Sequence, residues 1–218
     1  MRGSRPPSGW VCCALMALSM PLGAGQASAN APPTAAETRA LAWKTLTARV
    51  SQEKYLSHSL AVEAIMRAMA GKRDDLDLWG LAGLLHDVDI ATTAGDPTRH
   101  GVDGAQTLRR LGFSEAVAYA VNAHDDRAGV ARISRMDHAL FCADQSYWLL
   151  RAAAPAFPSA EFNAAKPDDL WEKARALPSK QPMIGVISAE CEKATFSMTA
   201  VFAMVHEVLK QAPLRSPL

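Results

Sequence analysis

The chain has little of what most specialised binding surfaces are made from. Aromatic residues make up 6% of its 218 positions, and 23 basic residues stand against 22 acidic ones, a net charge of +1. There is no basic stripe with interleaved aromatics, which excludes a reader of nucleic-acid polymer, and no single-sign field to draw the chain to anionic lipid. No zinc-ribbon spacing or C-x-x-C pair occurs among its four cysteines. The longest apolar run, "WVCCALMALSMPL", is 13 residues, too short for a comfortable membrane span. Strand-like alternation and internal repeats are missing too.

That apolar run has its own meaning. It follows "MRGSRPPSG", which carries Arg2 and Arg5 and no acid, and it precedes "GAGQASA", which offers a small-residue cleavage site at Ala27-Ser28-Ala29. A positive stretch, a short apolar stretch and a small-residue site in that order read as a signal peptide over 1–29, so the mature chain is expected to begin near Asn30 in the periplasm or outside the cell. Cleavage takes Cys12 and Cys13 with it. Cys142 and Cys191 remain. In an oxidising compartment they can pair, but nothing in the sequence brings their positions together, and the simpler expectation is two buried free thiols.

What is present reads as helix throughout. A Pro/Ala linker over 30–36 leads into amphipathic stretches at 38–50, 57–71, 75–87, 102–112, 114–125 and 134–154. Asp75 or Asp77, Ser114, and the Ser134/Asp137 capping box supply starts; Gly71 and Gly112 supply stops. After Pro155 come a Pro-rich loop, a short helix around Trp171, and one long helix over 188–210. The expectation is one all-α domain over 37–218, with Trp79, Trp148, Met66 and Met69 in its core.

The stretch "GLLHDVDI", 83–90, is the informative one. An apolar helix ends in His86 and Asp87, two side chains costly to bury. Gly83 lies at i−3 from His86 and i−4 from Asp87, and glycine inside a helix costs about 1 kcal/mol against alanine. The glycine makes sense if another helix approaches closely beneath the pair. The pair makes sense if both bind a metal ion. Other ligand-type residues stand near helix ends: His58, His100 in the loop after the pair, and His124. Asp144 sits mid-helix. His138 shares that helix but points about 120° away from Asp144, and His206, alone on an apolar helix, reads as a core or rim residue.

The order His58 … His86-Asp87 … Asp144 resembles the H…HD…D pattern of the HD superfamily of metal-dependent phosphohydrolases. The phrases "HSLAVEAIMRAMA", "LWGLAGLLHDVD" and "RHGVDGAQTLRRLG" are similar to the small HDIG-type domain proteins over roughly 55–150. Where that signature reads HDIG, this chain reads His86-Asp87-Val88-Asp89. The resemblance implies that His58, His86, Asp87 and Asp144 hold one ion, with His86 and Asp87 central to catalysis. It further implies that Asp87 bridges to a second ion held by His100 and His124. Two-metal members commonly carry a second histidine where this chain has Asp125. A mixed nitrogen and oxygen set without thiolate suits Fe or Mn, as one or two ions, rather than structural zinc. Arg99 and Arg127 are candidates to meet a phosphate, and Asp89 either supports a ligand or caps its loop. The expected activity is hydrolysis of a small-molecule phosphate ester, with nucleotides among the candidate substrates. The alternatives are a di-iron oxygenase on the same six ligands and a non-catalytic binding or signalling domain.

Overall fold

The structure is a computed structural model that describes residues 34–211, apart from the side chains of Glu37, Ser159 and Ala160. The expected signal peptide and most of the linker lie outside the described residues. The rest is helical, with no strand among the described residues. In chain order the helices are α1 (Ala35–Thr47), α2 (Glu53–Met69), α3 (Leu76–Leu85), α4 (Val102–Arg110), α5 (Glu115–Ala123), α6 (Arg135–Ala153), α7 (Ser159–Ala164), α8 (Pro167–Arg175), α9 (Gln181–Lys193) and α10 (Met198–Gln211). Among these residues no helix is long and apolar enough to cross a membrane.

Helix α6 is the axle. It is apolar on most sides, and α2, α5, α8, α9 and α10 all pack against it. It opens on the capping box read in the sequence: the Ser134 hydroxyl accepts from the Asp137 amide, and the Asp137 carboxylate accepts from the Ser134 amide at 2.8 Å. Asp75 caps α3 by accepting from the amides of Asp77 and Leu78, and Ser114 caps α5. Trp79, Met66 and Met69 are buried core, and Trp148 is half-buried against it. His206 is buried as well, and its Nε2 donates to the Phe162 carbonyl at 2.7 Å.

The close approach expected at Gly83 is there. A Cβ on Gly83 would stand 2.7 Å from the Val62 carbonyl oxygen of α2, a distance no side chain can hold. The glycine thus lets α3 lie directly on α2 and brings His86 up to His58.

Four expectations are corrected. First, the helix carrying His58 begins at Glu53 rather than residue 57, so His58 sits in its second turn. Second, the last helix is broken. α9 starts at Gln181 and ends at Lys193; Thr195 adopts φ 72° and α10 starts at Met198. A β-branched residue at positive φ is costly, and no sequence rule places the stop there. The corner is held from outside: Arg135 Nε donates to the Ala194 carbonyl and the Thr195 hydroxyl, and its guanidinium lies over Phe196. Within the corner, the Phe196 amide returns to the Cys191 carbonyl at 2.9 Å, the 6→1 bond of a Schellman ending. Third, Cys142 and Cys191 are not free thiols. They form a disulfide between α6 and α9, with Cα atoms 5.0 Å apart and a sequence separation of 49. Their meeting depends on where α9 docks, which helical periodicity does not specify. Fourth, a further helix, α7, lies in the stretch expected to be a Pro-rich loop.

Candidate metal centre

All six candidate ligands converge in one buried cluster. His58 comes from α2. His86 and His124 are the residues that end α3 and α5. His100 follows a 3-10 turn at Pro97–Arg99, and Asp144 comes from the middle of α6. Each is buried.

Asp87 divides the cluster. Its Oδ2 lies 3.4 Å from His86 Nε2 and 3.8 Å from His58 Nε2. Its Oδ1 lies 3.2 Å from His100 Nε2 and 3.9 Å from His124 Nε2. Two sets of ligand atoms each close enough for one ion follow: His58, His86 and Asp87 on one side, Asp87, His100 and His124 on the other. Asp144 joins the first set, with Oδ1 2.9 Å from His58 Nε2 and 3.8 Å from His86 Nε2.

The hydrogen bonds behind the rings show that a cation fits. His86 Nδ1 donates to the Gly83 carbonyl at 2.8 Å, and His124 Nδ1 donates to the Val121 carbonyl at 2.6 Å. Each ring thus reaches back to the i−3 carbonyl of its own helix end. His100 Nδ1 donates to Asp89 Oδ1 at 2.8 Å. With Nδ1 bonded outward in all three, Nε2 is the atom each ring turns inward, and it offers a lone pair to a cation once the ring is neutral. Yet His100 Nε2 and His124 Nε2 are 3.1 Å apart, and His58 Nε2 and His86 Nε2 are 3.0 Å apart. Two ring nitrogens at that separation need a proton or a metal ion between them, and His58 Nε2 also lies within hydrogen-bond distance of Asp144 Oδ1. His58 Nδ1 is buried with no hydrogen-bond partner, and its ring is flanked by Tyr147 and Trp148, with centroids 4.7 and 4.6 Å away.

The charges respond accordingly. Burial alone would raise the pKa of Asp87, but His86, His100, His58 and His124 outweigh it and hold the carboxyl well below its usual range. Asp144 is also lowered: its burial is overcome chiefly by the hydrogen bond from His58. His100 is pushed up to about 10, because its bonds to Asp87 and Asp89 outweigh burial. His124 is lowered, first by burial and then by the neighbouring His86 and His100. The pocket holds its acids ionised, the state in which carboxylates ligate metal.

The remaining candidates lie outside the cluster. Arg127 forms an ion pair with Asp125 and feels the fields of Asp87 and Asp144 as well. Arg99 is exposed and paired with Asp103. It lines a cavity of about 370 Å³ with Arg49 and Arg110, and none of the six ligands borders that cavity. His138 is apart from the cluster, with Nδ1 donating to Glu190 at 2.6 Å. Three participants escaped sequence reasoning. Gln145 Nε2 donates to Asp144 Oδ2 at 2.7 Å, while Tyr147 and Trp148 follow Asp144 at i+3 and i+4. That spacing was the available signal, since it puts both rings on the ligand's own helix face.

Residues 55–153 match the HD domain family, a little under half of the chain. An uncharacterized protein of Methanocaldococcus jannaschii is 38% identical over 78 residues, which cover 33% of this chain and 45% of that protein. The chain therefore spans less than half the length of this relative. No solved structure matches the chain.

Proposed function

We propose that this chain, an HD-domain protein over residues 55–153, is a metal-dependent phosphohydrolase acting on a small phosphate ester from a dinuclear centre. The observation that carries the reading is the division of Asp87, whose two oxygens face two separate histidine sets. A carboxylate so placed would serve both ions. His58, His86 and Asp144 complete one half, and His100 and His124 the other. Fe or Mn suits these nitrogen and oxygen donors. Bound there, two ions would supply Lewis acidity and a water made nucleophilic near neutral pH.

The protein's own contribution is orientation. Helix-end carbonyls fix the rings of His86 and His124, and Asp89 fixes His100. Gln145 holds Asp144 by its outer oxygen. Arg127, whose cationic form is favoured by Asp125 and then by Asp87 and Asp144, is the side chain we assign to meet charge on the phosphate. The arrival of a phosphate dianion gives Arg127 a second anionic partner beside Asp125.

We also propose that the mature chain works in the periplasm or outside the cell. The three-part N-terminus supports this, and so does a buried disulfide, which persists in oxidising compartments.

Turnover of p-nitrophenyl phosphate and of nucleoside monophosphates by the Mn-loaded protein, measured with and without oxygen, tests the activity. Hydrolysis that is indifferent to oxygen is expected. Activity confined to Fe-loaded, oxygenated protein would overturn the hydrolase in favour of an oxygenase. Full metal loading with no turnover would leave a binding domain.

A further inference from the structure

The position that reads glycine in HDIG holds Asp89 here, and its carboxylate is buried. Its oxygens accept three hydrogen bonds, all from one short segment. Oδ1 accepts from His100 Nδ1 at 2.8 Å; Oδ2 accepts from the Gly101 amide at 2.9 Å and the Gly104 amide at 2.7 Å. Those amides belong to the N-cap and first turn of α4, where backbone donors have no partner within the helix. The backbone of Asp89 is fixed in its turn, since its carbonyl accepts from the hydroxyls of Thr92 and Thr93 at 2.9 and 3.0 Å.

The receiving segment matches. A Cβ on Gly104 would stand 3.2 Å from Asp89 Oδ2. Gly101 has φ +78°, and a Cβ there would meet the Val121 carbonyl at 2.7 Å. The spacing Gly101-x-x-Gly104 lets the backbone come down on the carboxylate.

His100 needs this partner more than the other histidines do. His86 and His124 end α-helices, and their Nδ1 atoms find a carbonyl three residues back. His100 leaves a 3-10 turn with extended backbone, ψ 133°, and its Nδ1 bonds to Asp89 instead.

We propose that Asp89 is a positioning residue for the second metal ion: it fixes the tautomer and direction of the His100 ring, so that Nε2 faces Asp87 Oδ1. A carboxylate behind a ligating imidazole also raises its basicity, and losing such a partner typically costs ten- to a hundredfold in metal affinity. This rests on the dinuclear reading above.

The test counts ions. Mn bound per mature chain is measured by elemental analysis, and the two dissociation constants by titration against a competing chelator. The variants are Asp89→Asn, Asp89→Gly and Thr93→Val, the last loosening the same turn without touching the carboxylate. The coupled Mn–Mn EPR signal reports double occupancy independently of activity. Two ions are expected in the parent protein. In Asp89→Asn the weaker ion is expected to loosen about ten- to a hundredfold, with the tighter ion within twofold of the parent. Asp89→Gly is expected to lose the coupled signal, and Thr93→Val to keep it. If Asp89→Asn holds both ions as the parent does, or loosens both equally, the positioning role falls while the dinuclear reading stands. A parent protein that binds one ion at most would bring down the dinuclear reading itself, and the role of Asp89 with it.

Discussion

Asp87 faces four imidazoles with two oxygens, so its removal is the sharpest change available at the scale of one residue. Asp87→Ala leaves four rings with converging nitrogen atoms and no anion among them. Metal content, measured by elemental analysis, is expected to fall from two ions to at most one weakly held ion. Helical circular dichroism is expected to persist, because α3 has ended at Leu85 and Asp87 caps nothing. Retention of both ions would refute the bridging assignment. The six residues of the cluster were legible in the sequence because each is a ligand-type side chain, His86, Asp87 and His124 stand at the ends of apolar helices, and the H…HD…D order supplied the grouping. Asp89 was left open between support and cap; the structure shows both at once, with one oxygen on His100 and the other on the start of α4. Tyr147 and Trp148 were hidden for the opposite reason. Aromatics at helical spacing are usually core, and only the fold shows that the face they share with Asp144 is also the face presented to His58.

At the scale of elements, the core from α2 to α6 follows its caps and periodicity, whereas the placement of α9 rests on long-range polar contacts that periodicity does not contain. Glu190 of α9 accepts from Arg132 at 2.8 Å, from His138 at 2.6 Å and from Lys193 at 2.7 Å. Arg132 also donates to the Ala123 carbonyl at 3.1 Å, one residue before His124. α9 is thereby tied to the end of the helix that carries the candidate ligand His124. Burial would raise the pKa of Glu190, but Lys193, His138 and Arg132 outweigh it and bring the carboxyl down to about 2. Since the folded value lies below the ordinary 4.5, the group stabilises the fold above pH 4.5, and the contribution is lost as pH falls from 4.5 toward 2. Urea unfolding of the parent and of Glu190→Gln at pH 6 and pH 3 checks this. The stability gap between them is expected to shrink by more than half at pH 3; an equal gap at both would show that the carboxylate charge is not what holds α9.

For the whole molecule, the Cys142–Cys191 disulfide joins the 55–150 region to the C-terminal helices of the same domain. Cys142 lies two residues before Asp144 on the axle helix, and Cys191 directly follows Glu190 on α9. One covalent link therefore holds the C-terminal helices against the helix that completes the metal centre. Closing a loop of this length removes denatured-state entropy worth about 4 kcal/mol, which for a chain of this size corresponds to roughly 10 °C in melting temperature. Reduction with dithiothreitol, or the Cys142→Ala/Cys191→Ala double variant, is expected to lower the melting temperature by that order. The metal ions are expected to remain bound below the new transition, since neither cysteine is a ligand. The link also makes compartment a matter of stability: a chain kept in a reducing cytoplasm would fold without it, and one exported past residue 29 would leave Cys12 and Cys13 behind and carry only the two cysteines that pair. Mass spectrometry of protein from its native host, alkylated before denaturation and again after it, reads both facts together. A chain beginning near Asn30 with no alkylated cysteine is the expected result. Intact Met1 in the cytoplasmic fraction, with Cys142 and Cys191 alkylated, would overturn export and remove the bond from the working protein.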